Sequence, residues 1–364
     1  MKLPHIKLLD WYIIKKYIGT YFFTILIAVA IIIIFDISEK IEKFVEHQAP
    51  LDGIIFDYYA GFIPWILNTF CPLFVFVSAI FFTSKLSQNS EIIAMLSTGV
   101  SFKRLLAPYM ASAALIAAFS MILGFYIIPP ANKTRLDFED KYVRPKDVVS
   151  NQRNIHYQVS PGEFMYVEQF STWSNTAYRF TLEKIEDDKL VSKLSAESAA
   201  WDTTFNGWRL HNYFQRDFYG ESEMVEAGNT RDTVLAVTVD DFYRRENYVA
   251  SINQKELNEY IRIQNMRGDA AVKKSLIEKH NRIAMPFSAF VLSVIAVSLS
   301  SRRKRGGLGL NIGIGIALSF IYILFMRFSE MFVRTDTLPV IVAIWLPNFI
   351  FSIVAFVLYK LAPK

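Results

Sequence analysis

Few residues in this 364-residue chain have the types and spacing that catalysis needs. His280 stands near Glu278, but no second histidine sits at a zinc-binding spacing, so neither a metal centre nor a hydrolytic site is expected there. Cys71 is the single cysteine and cannot form an intrachain disulfide; beside Pro72 in an apolar run, it reads as a small packing residue. The glycine-rich RGGLGLNIGIGIALS does not follow a strand, and no GxxxxGK[ST] occurs anywhere, so the chain carries no standard P-loop of its own. Gly309 and Gly313 form GxxxG, with Gly315 and Ser319 extending the small face, a pattern for close helix packing rather than nucleotide binding. The expectation is therefore a non-enzyme without cofactor or metal.

One short segment is different in character. In SQNSEIIAMLSTGVSFKRLL, Ser87–Leu106, Ser87 or Asn89 is placed to cap a short helix with Glu91 in its electropositive first turn. Ile92, Met95 and Leu96 fall on one apolar face, and Gly99 ends the helix. Such a segment either plugs a groove on a partner or lies on the lipid interface, and the residues alone favour neither.

The elements around it settle the class. With 52% hydrophobic and 15% aromatic residues and a mean hydropathy of +0.26, the apolar residues gather into runs near Tyr17–Ile37, Ile54–Thr83, Leu105–Ile128, Ile283–Leu299, Leu308–Phe328 and Val340–Tyr359. A bilayer core about 30 Å thick needs roughly 20 residues per helix, so six spans are expected. The stretch from about Pro129 to Glu278 is too charged for lipid. The fold class is thus an α-helical polytopic membrane protein, six transmembrane helices with an inserted extracytoplasmic antiparallel β domain, β-jellyroll-like. The domains are residues 1–130 (helices one to three, with the amphipathic helix at about 87–99), 131–268 (β domain plus linking helix) and 269–364 (helices four to six).

Cationic loops tend to stay cytoplasmic, and the cations alternate along the chain. Lys2, Lys7, Lys15 and Lys16 precede helix one; Lys85, Lys103 and Arg104 join helices two and three; Arg302, Arg303, Lys304 and Arg305 join four and five; Lys360 and Lys364 close the chain. Both termini are expected in the cytoplasm and the β domain outside. The first run lacks a small-residue cleavage site and reads as a retained helix. The formal net charge of +5 resides in these loops, so no nucleic-acid partner is expected.

Between Asn154 and Asp240 the period approaches two, as in YRFTLEKI, KLVSKLSAESAAWD, GWRLHNYFQRDF and DTVLAVTVDD. Pro161-Gly162, Asp187-Asp188, Asn206-Gly207 and Gly228-Asn229 punctuate them as turns, giving a sandwich or open jelly roll. Tyr166, Phe180, Trp201, Trp208 and Phe214 are expected in its core, with an apolar groove as the alternative. A helix containing Leu257 and Ile261 follows and breaks at Gly268.

Five motifs, in order, carry a resemblance over nearly the full chain. They are LDWYIIKKYIGTYFFTIL at Leu9, SEIIAMLSTGVSFKRLLAP at Ser90, KELNEYI at Lys255, EKHNRIAMPF at Glu278 and LPVIVAIWLPNFIF at Leu338. Together they resemble the LptF/LptG permease family, and Leu9-Asp10-x-Tyr12-Ile13 with Gly313-Ile314 lean toward its LptG branch. The resemblance implies an inner-membrane permease of a lipopolysaccharide exporter, driven by a cytoplasmic ATPase dimer resembling LptB. It also implies a second LptF/LptG-type permease and an LptC-like periplasmic bridge as partners. The Ser87–Leu106 segment matches the family's coupling helix, which assigns Glu91, Ile92, Ala94, Met95, Leu96 and Gly99 to ATPase coupling. Lipid phosphate in this family meets basic residues near the ends of helices one and three. Here Asp36, Leu136 and Glu139 stand near those places, so Lys40, Lys43, Lys133 and Arg135 are the expected phosphate contacts, shifted by about a turn. Pairing of these cations with Glu39, Glu42 and the membrane surface is an equal alternative. A carboxylate at Asp36 calls for a partner, and a substrate amine, a cation or Arg327 of another helix are the alternatives. A reading of another class remains, a non-transporting membrane scaffold whose outward β domain binds an envelope protein.

Overall fold

The computed structural model describes residues 8–143, 152–220, 222–239, 242, 248–266, 268–269, 271–301 and 307–362. Lys2, Lys7, Arg302, Arg303, Lys304, Arg305, Lys364, Asp240 and Asp241, which enter the expectations above, lie outside them. The chain divides into a helical unit (Met1–Phe138, Ala250–Gln254, Leu276–Lys364) and a β unit (Glu139–Val249, Lys255–Ser275).

Among the described residues, six helices are long and apolar enough to cross a membrane. The first, α1 (Leu8–Glu46), is a continuous helix of 39 residues without an internal proline. The second apolar run is not one helix, contrary to the expectation of a single span over Ile54–Thr83. It comprises α2 (Leu51–Gly53), a π-helical segment Ile54–Tyr59, α3 (Ala60–Thr69) and α4 (Cys71–Gln88), and only α4 is long enough to span. The break is at Phe70 (φ −100°, ψ 13°), just ahead of Pro72, whose missing N–H is tolerated in a first helical turn and costly inside a helix.

After the short α5 (Glu91–Ser97), α6 (Phe102–Ile122) passes through a π segment, Leu123–Ile127, into α7 (Ile128–Phe138) and a last π turn, Glu139–Val143. Pro129 and Pro130 cannot donate to the helical ladder, and the π segment lies immediately before them. Following α8 (Gln254–Met266), three spans remain: α9 (Val272–Ser300), α10 (Gly307–Arg334) and α11 (Val340–Leu361).

Polar bonds tie these helices where packing alone gives little specificity. Tyr17 Oη meets Ser293 Oγ at 2.9 Å, Tyr109 meets Thr83 at 3.0 Å, Asn311 donates to Ser84 at 3.0 Å, and Asn348 accepts from Tyr322 at 2.8 Å while donating to the Ala284 carbonyl at 2.7 Å. Within the chain, the small face of α10 is used at one of its glycines. A Cβ on Gly309 or Gly313 would meet nothing within 4 Å, whereas one on Gly315 would lie 2.7 Å from Ile80 Cδ1. The close approach is therefore at Gly315, against α4.

Among the described residues, the β unit forms a six-stranded antiparallel meander, β1 to β6 in sequence order, in one sheet. Its strands are Gln152–Ser160, Glu163–Ser171, Thr176–Glu186, Lys189–Asp202, Gly207–Tyr219 and Ser222–Thr233. The turns at Pro161-Gly162, Asp187-Asp188 and Asn206 form as expected, the latter three residues at positive φ. Gly228-Asn229 does not turn; it lies within β6, where Gly228 leaves room for the Tyr213 ring across the ladder. Beyond Thr233 the described residues 234–239 do not continue as the expected strand. Leu235, Val237 and Val239 instead fold over the sheet, and the Val237 carbonyl accepts Trp208 Nε1 at 2.7 Å. Phe170, Phe180, Trp208 and Phe242 fill this core, whereas Phe214 is exposed. The α8 expectation is met: Leu257 and Ile261 are buried on it, and Gly268 follows at φ +64°.

Candidate functional site

The amphipathic segment forms α5, but it is entered and oriented differently from the sequence reading. Neither Ser87 nor Asn89 caps it. Ser90 precedes the helix in the left-handed region, φ 63°, with no side-chain cap; Ser87 Oγ is 3.4 Å from the Ser301 carbonyl, and Asn89 donates to Glu91 Oε1 at 3.2 Å. Gly99 at φ +89° ends the segment, a conformation that disfavours any side chain.

Ile92 is fully buried in the helical core, and Met95 and Leu96 pack against the same core, so these three do not present an open apolar patch. The face turned outward carries Ile93, 52% exposed, with Ala94, Ser97 and Thr98. Glu91 is half-buried, and its second oxygen accepts the Tyr12 hydroxyl at 3.0 Å. Close by in sequence to Tyr12, Asp10 receives both terminal nitrogens of Arg104 at 2.6 Å each, a forked contact from α6 to the start of α1.

The other end of α1 holds a second polar cluster. From Tyr12 to Asp36 the helix advances about 36 Å at 1.5 Å per residue, comparable with an apolar bilayer core of about 30 Å. Asp36 is buried, and of the partners considered for it the structure supplies a cation: it accepts Lys40 Nζ at 2.5 Å, with Tyr58 Oη at 3.0 Å and Tyr59 Oη at 3.1 Å. Lys40 also contacts the Tyr58 hydroxyl and lies over the Tyr58 and Phe62 rings at 4.8 and 5.4 Å. Arg327 is not a partner of Asp36; it pairs with Glu330 at 3.2 Å.

Arg135 on α7 is buried, its guanidinium 4.7 Å from the Trp65 ring centre and 6.0 Å from that of Phe62. Helices α3 and α7 approach so closely that a Cβ on Gly61 would sit 2.4 Å from the Ala131 carbonyl oxygen. Asn132 is wholly buried beside this contact, and its amide has no hydrogen-bond partner among the described residues. Lys43 and Lys133 are exposed. The four expected phosphate contacts thus separate into two inward cations packed on aromatic rings and two outward ones.

Among the described residues no group of three or more His, Cys, Asp and Glu side chains is placed to hold a metal. On the β unit, His156, Gln158, Phe164, Tyr166, Glu183 and Lys193 line a groove of about 490 Å³, more polar than the apolar alternative anticipated.

Two comparisons bear on this arrangement. The family described as lipopolysaccharide export system permease LptF/LptG matches residues 11–361. The chain belongs to the LptF/LptG family. It is similar to the lipopolysaccharide export system permease protein LptG of Haemophilus influenzae, 22% identical over 306 residues, which cover 80% of this chain and 81% of that protein. As an LptF/LptG permease with six apolar helices, it is a multi-pass inner-membrane protein. The match includes Tyr12, Glu91 and Arg104, the Asp36 cluster and the whole of α5. Sequence reasoning found α5 and Lys40 but missed Asp10, Tyr12, Tyr58 and Tyr59 as members of these clusters. The one local signal was Asp36 and Lys40 at i and i+4, the spacing of an ion pair on a helix face.

Proposed function

We propose that this chain is a permease subunit of an ABC-type lipopolysaccharide exporter. It extracts lipopolysaccharide from the outer leaflet of the inner membrane and passes it to periplasmic β-jellyroll partners for delivery to the outer membrane. The observation that carries this reading is the family match across residues 11–361, which spans both the helical unit and the β unit. Lacking a P-loop, the chain draws its energy from a separate cytoplasmic ATPase dimer resembling LptB. It pairs with a second LptF/LptG-type permease, and an LptC-like protein continues the path. Both termini lie in the cytoplasm and the β unit in the periplasm, in keeping with the cations of the short loops.

In this reading α5 is the surface that meets the ATPase. Ile93 and Ala94 enter its groove, Glu91 faces a cation at the rim, and Ile92, Met95 and Leu96 anchor α5 to the membrane helices. At the other end of α1, the exposed Lys43 and Lys133 meet lipid phosphate first. Lys40 and Arg135 reach it by exchanging their present acidic and aromatic partners. The test is reconstitution of the chain, a second permease and the ATPase in vesicles containing lipopolysaccharide. ATP-dependent transfer of lipopolysaccharide to a soluble β-jellyroll acceptor is expected, and an assembled complex that hydrolyses ATP without transferring lipid would refute the reading.

A further inference from the structure

The contacts at the start of α1 point to a role that α5 alone does not have. Both oxygens of Glu91 are already engaged within the chain, one by Asn89 and the other by Tyr12 of α1. Asp10 is held in a forked ion pair by Arg104, two residues after α6 begins at Phe102. The beginning of α1 is therefore tied separately to α5 and to α6, the two elements that flank the turn through Gly99.

Asp10 also heads the buried stripe of α1, which continues through Ile13, Tyr17, Tyr21 and Ile25 to Asp36. From Asp10 to Ile25 these positions recur at three- and four-residue intervals, and Asp36, about three turns beyond Ile25, returns to the same helix face. Tyr17 on this face binds Ser293 of α9, and Asp36 ends in the Lys40, Tyr58 and Tyr59 cluster. A continuous helix does not compress along its axis, so displacement at Asp10 and Tyr12 is delivered to the Asp36 cluster with little loss.

We propose that Asp10, Tyr12 and Arg104 are positioning residues of a relay, in which α1 is a push-rod carrying displacement of the ATPase-contacting helix α5 to the polar cluster around Asp36 and Lys40. The inference rests on the permease reading and adds a route: α5 acts on α1 as well as on its own chain neighbours α4 and α6. When the ATPase displaces α5, the Tyr12 hydroxyl bonded to Glu91 draws α1 with it, because the carboxylate can meet a cation and keep this donor, while the Asp10–Arg104 fork keeps α1 in step with α6. Neither Asp10 nor Tyr12 contacts the ATPase in this scheme.

The test uses the complete permease–ATPase complex with Asp10→Arg, Arg104→Asp, both together, and Tyr12→Phe. A spin-label pair at Leu8, 91% exposed, and Leu361, 59% exposed, reports movement of the α1 start independently of lipid. Native complex is expected to change this distance on ATP binding and Asp10→Arg to abolish the change. The charge exchange should restore it, and all variants should retain the ATPase. Lipid released per ATP should fall at least about fivefold in Asp10→Arg and Arg104→Asp, the lower end of an ordinary coupling between sites, and recover in the exchange. Tyr12→Phe preserves the ring and decides the matter if the charge variants fail to assemble: reduced release with normal hydrolysis supports the relay, and native release overturns it. An ATP-insensitive distance in the native complex, or an assembled exchange as defective as its parents, also overturns it. A distance that responds to ATP in a complex that moves no lipid supports the relay and removes the permease reading instead.

Discussion

Truncating Ile92 and Ile93 separately to alanine should have opposite consequences, although the two are neighbours of the same type on one short helix. Ile92 is fully buried between the membrane helices, whereas Ile93 is 52% exposed. Each substitution removes three carbons, about 2.4 kcal/mol of burial at roughly 0.8 kcal/mol per carbon when the site is closed. At Ile92 the cavity left behind adds to this, giving a loss of folding stability of about 3 kcal/mol. At Ile93 half of that surface is already in water, so the cost to the isolated permease is about 1 kcal/mol or less. If Ile93 fills a groove on the ATPase, its loss removes an interface anchor of about 2 kcal/mol, roughly a thirtyfold weaker association. Thermal unfolding of the permease in detergent and titration with the ATPase separate the two quantities. Ile92→Ala should lower the melting temperature and spare affinity in the folded fraction; Ile93→Ala should spare melting and weaken association. An Ile93→Ala permease that binds the ATPase as tightly as native would refute the assignment of this face.

Three other perturbations follow from the same geometry. Lys43→Gln with Lys133→Gln should lower copurified lipopolysaccharide by about threefold to thirtyfold, the range for losing two exposed ion contacts, while leaving melting unchanged; unaltered lipid content excludes them as contacts. Gly61→Val forces a side chain against the Ala131 carbonyl, so α3 and α7 must separate; a loss of about 1–3 kcal/mol is expected in thermal unfolding, and native melting contradicts the close packing. In the β unit, the Thr204 hydroxyl and amide hold the Asp202 carboxyl below its usual range with help from Arg209, and Arg209 does the same for Asp232. Depressed carboxylates stabilise the fold above their unfolded pKa and lose that contribution as pH falls through the folded one, so melting followed by near-ultraviolet dichroism should decline below about pH 4. Arg209→Met should flatten that decline, and an unchanged profile counts against the pairing.

The elements that were legible in the sequence are those set by local chemistry. The turn at Asp187-Asp188 and the break after α8 at Gly268 lie at positive φ, which aspartate tolerates and glycine favours. The errors arose where one local pattern has two physical outcomes. Gly228-Asn229 has turn chemistry, but the space left by Gly228 is used by Tyr213 across the ladder, so the strand continues. Leu235, Val237 and Val239 alternate as a strand does, yet alternation records which side chains face a core. It does not record what the backbone bonds to, and here the Val237 carbonyl is taken by the Trp208 side chain. The Ile54–Thr83 run has enough apolar residues for a span, and composition cannot show that the ladder breaks at Phe70.

The site was less legible than the fold because a membrane removes the rule by which apolar faces are assigned to cores. The spacing of Ile92, Met95 and Leu96 correctly defines one face of α5, but the same spacing suits a face turned to a partner and a face turned to the bundle. On α1 the inversion is plain: Phe23, Leu26 and Phe35 are exposed, while Asp10, Tyr17, Tyr21 and Asp36 are buried. Lipid is as apolar as leucine, so apolar side chains gain little by facing inward, whereas a hydroxyl or carboxylate in lipid loses every partner it could have had. Polar residues therefore mark the inner face of these helices, and the buried Ser84, Tyr109, Asn311, Tyr322 and Asn348 follow the same rule. Applied to the opening of α1, that rule singles out Asp10 without knowledge of its partner. Arg104 lies 94 residues further along the chain, a pairing that only the fold supplies. The reasoning that makes Asp10 conspicuous also makes it consequential, because a carboxylate kept at the inner face of a membrane helix is held there by its partner, and whatever moves the partner moves the helix.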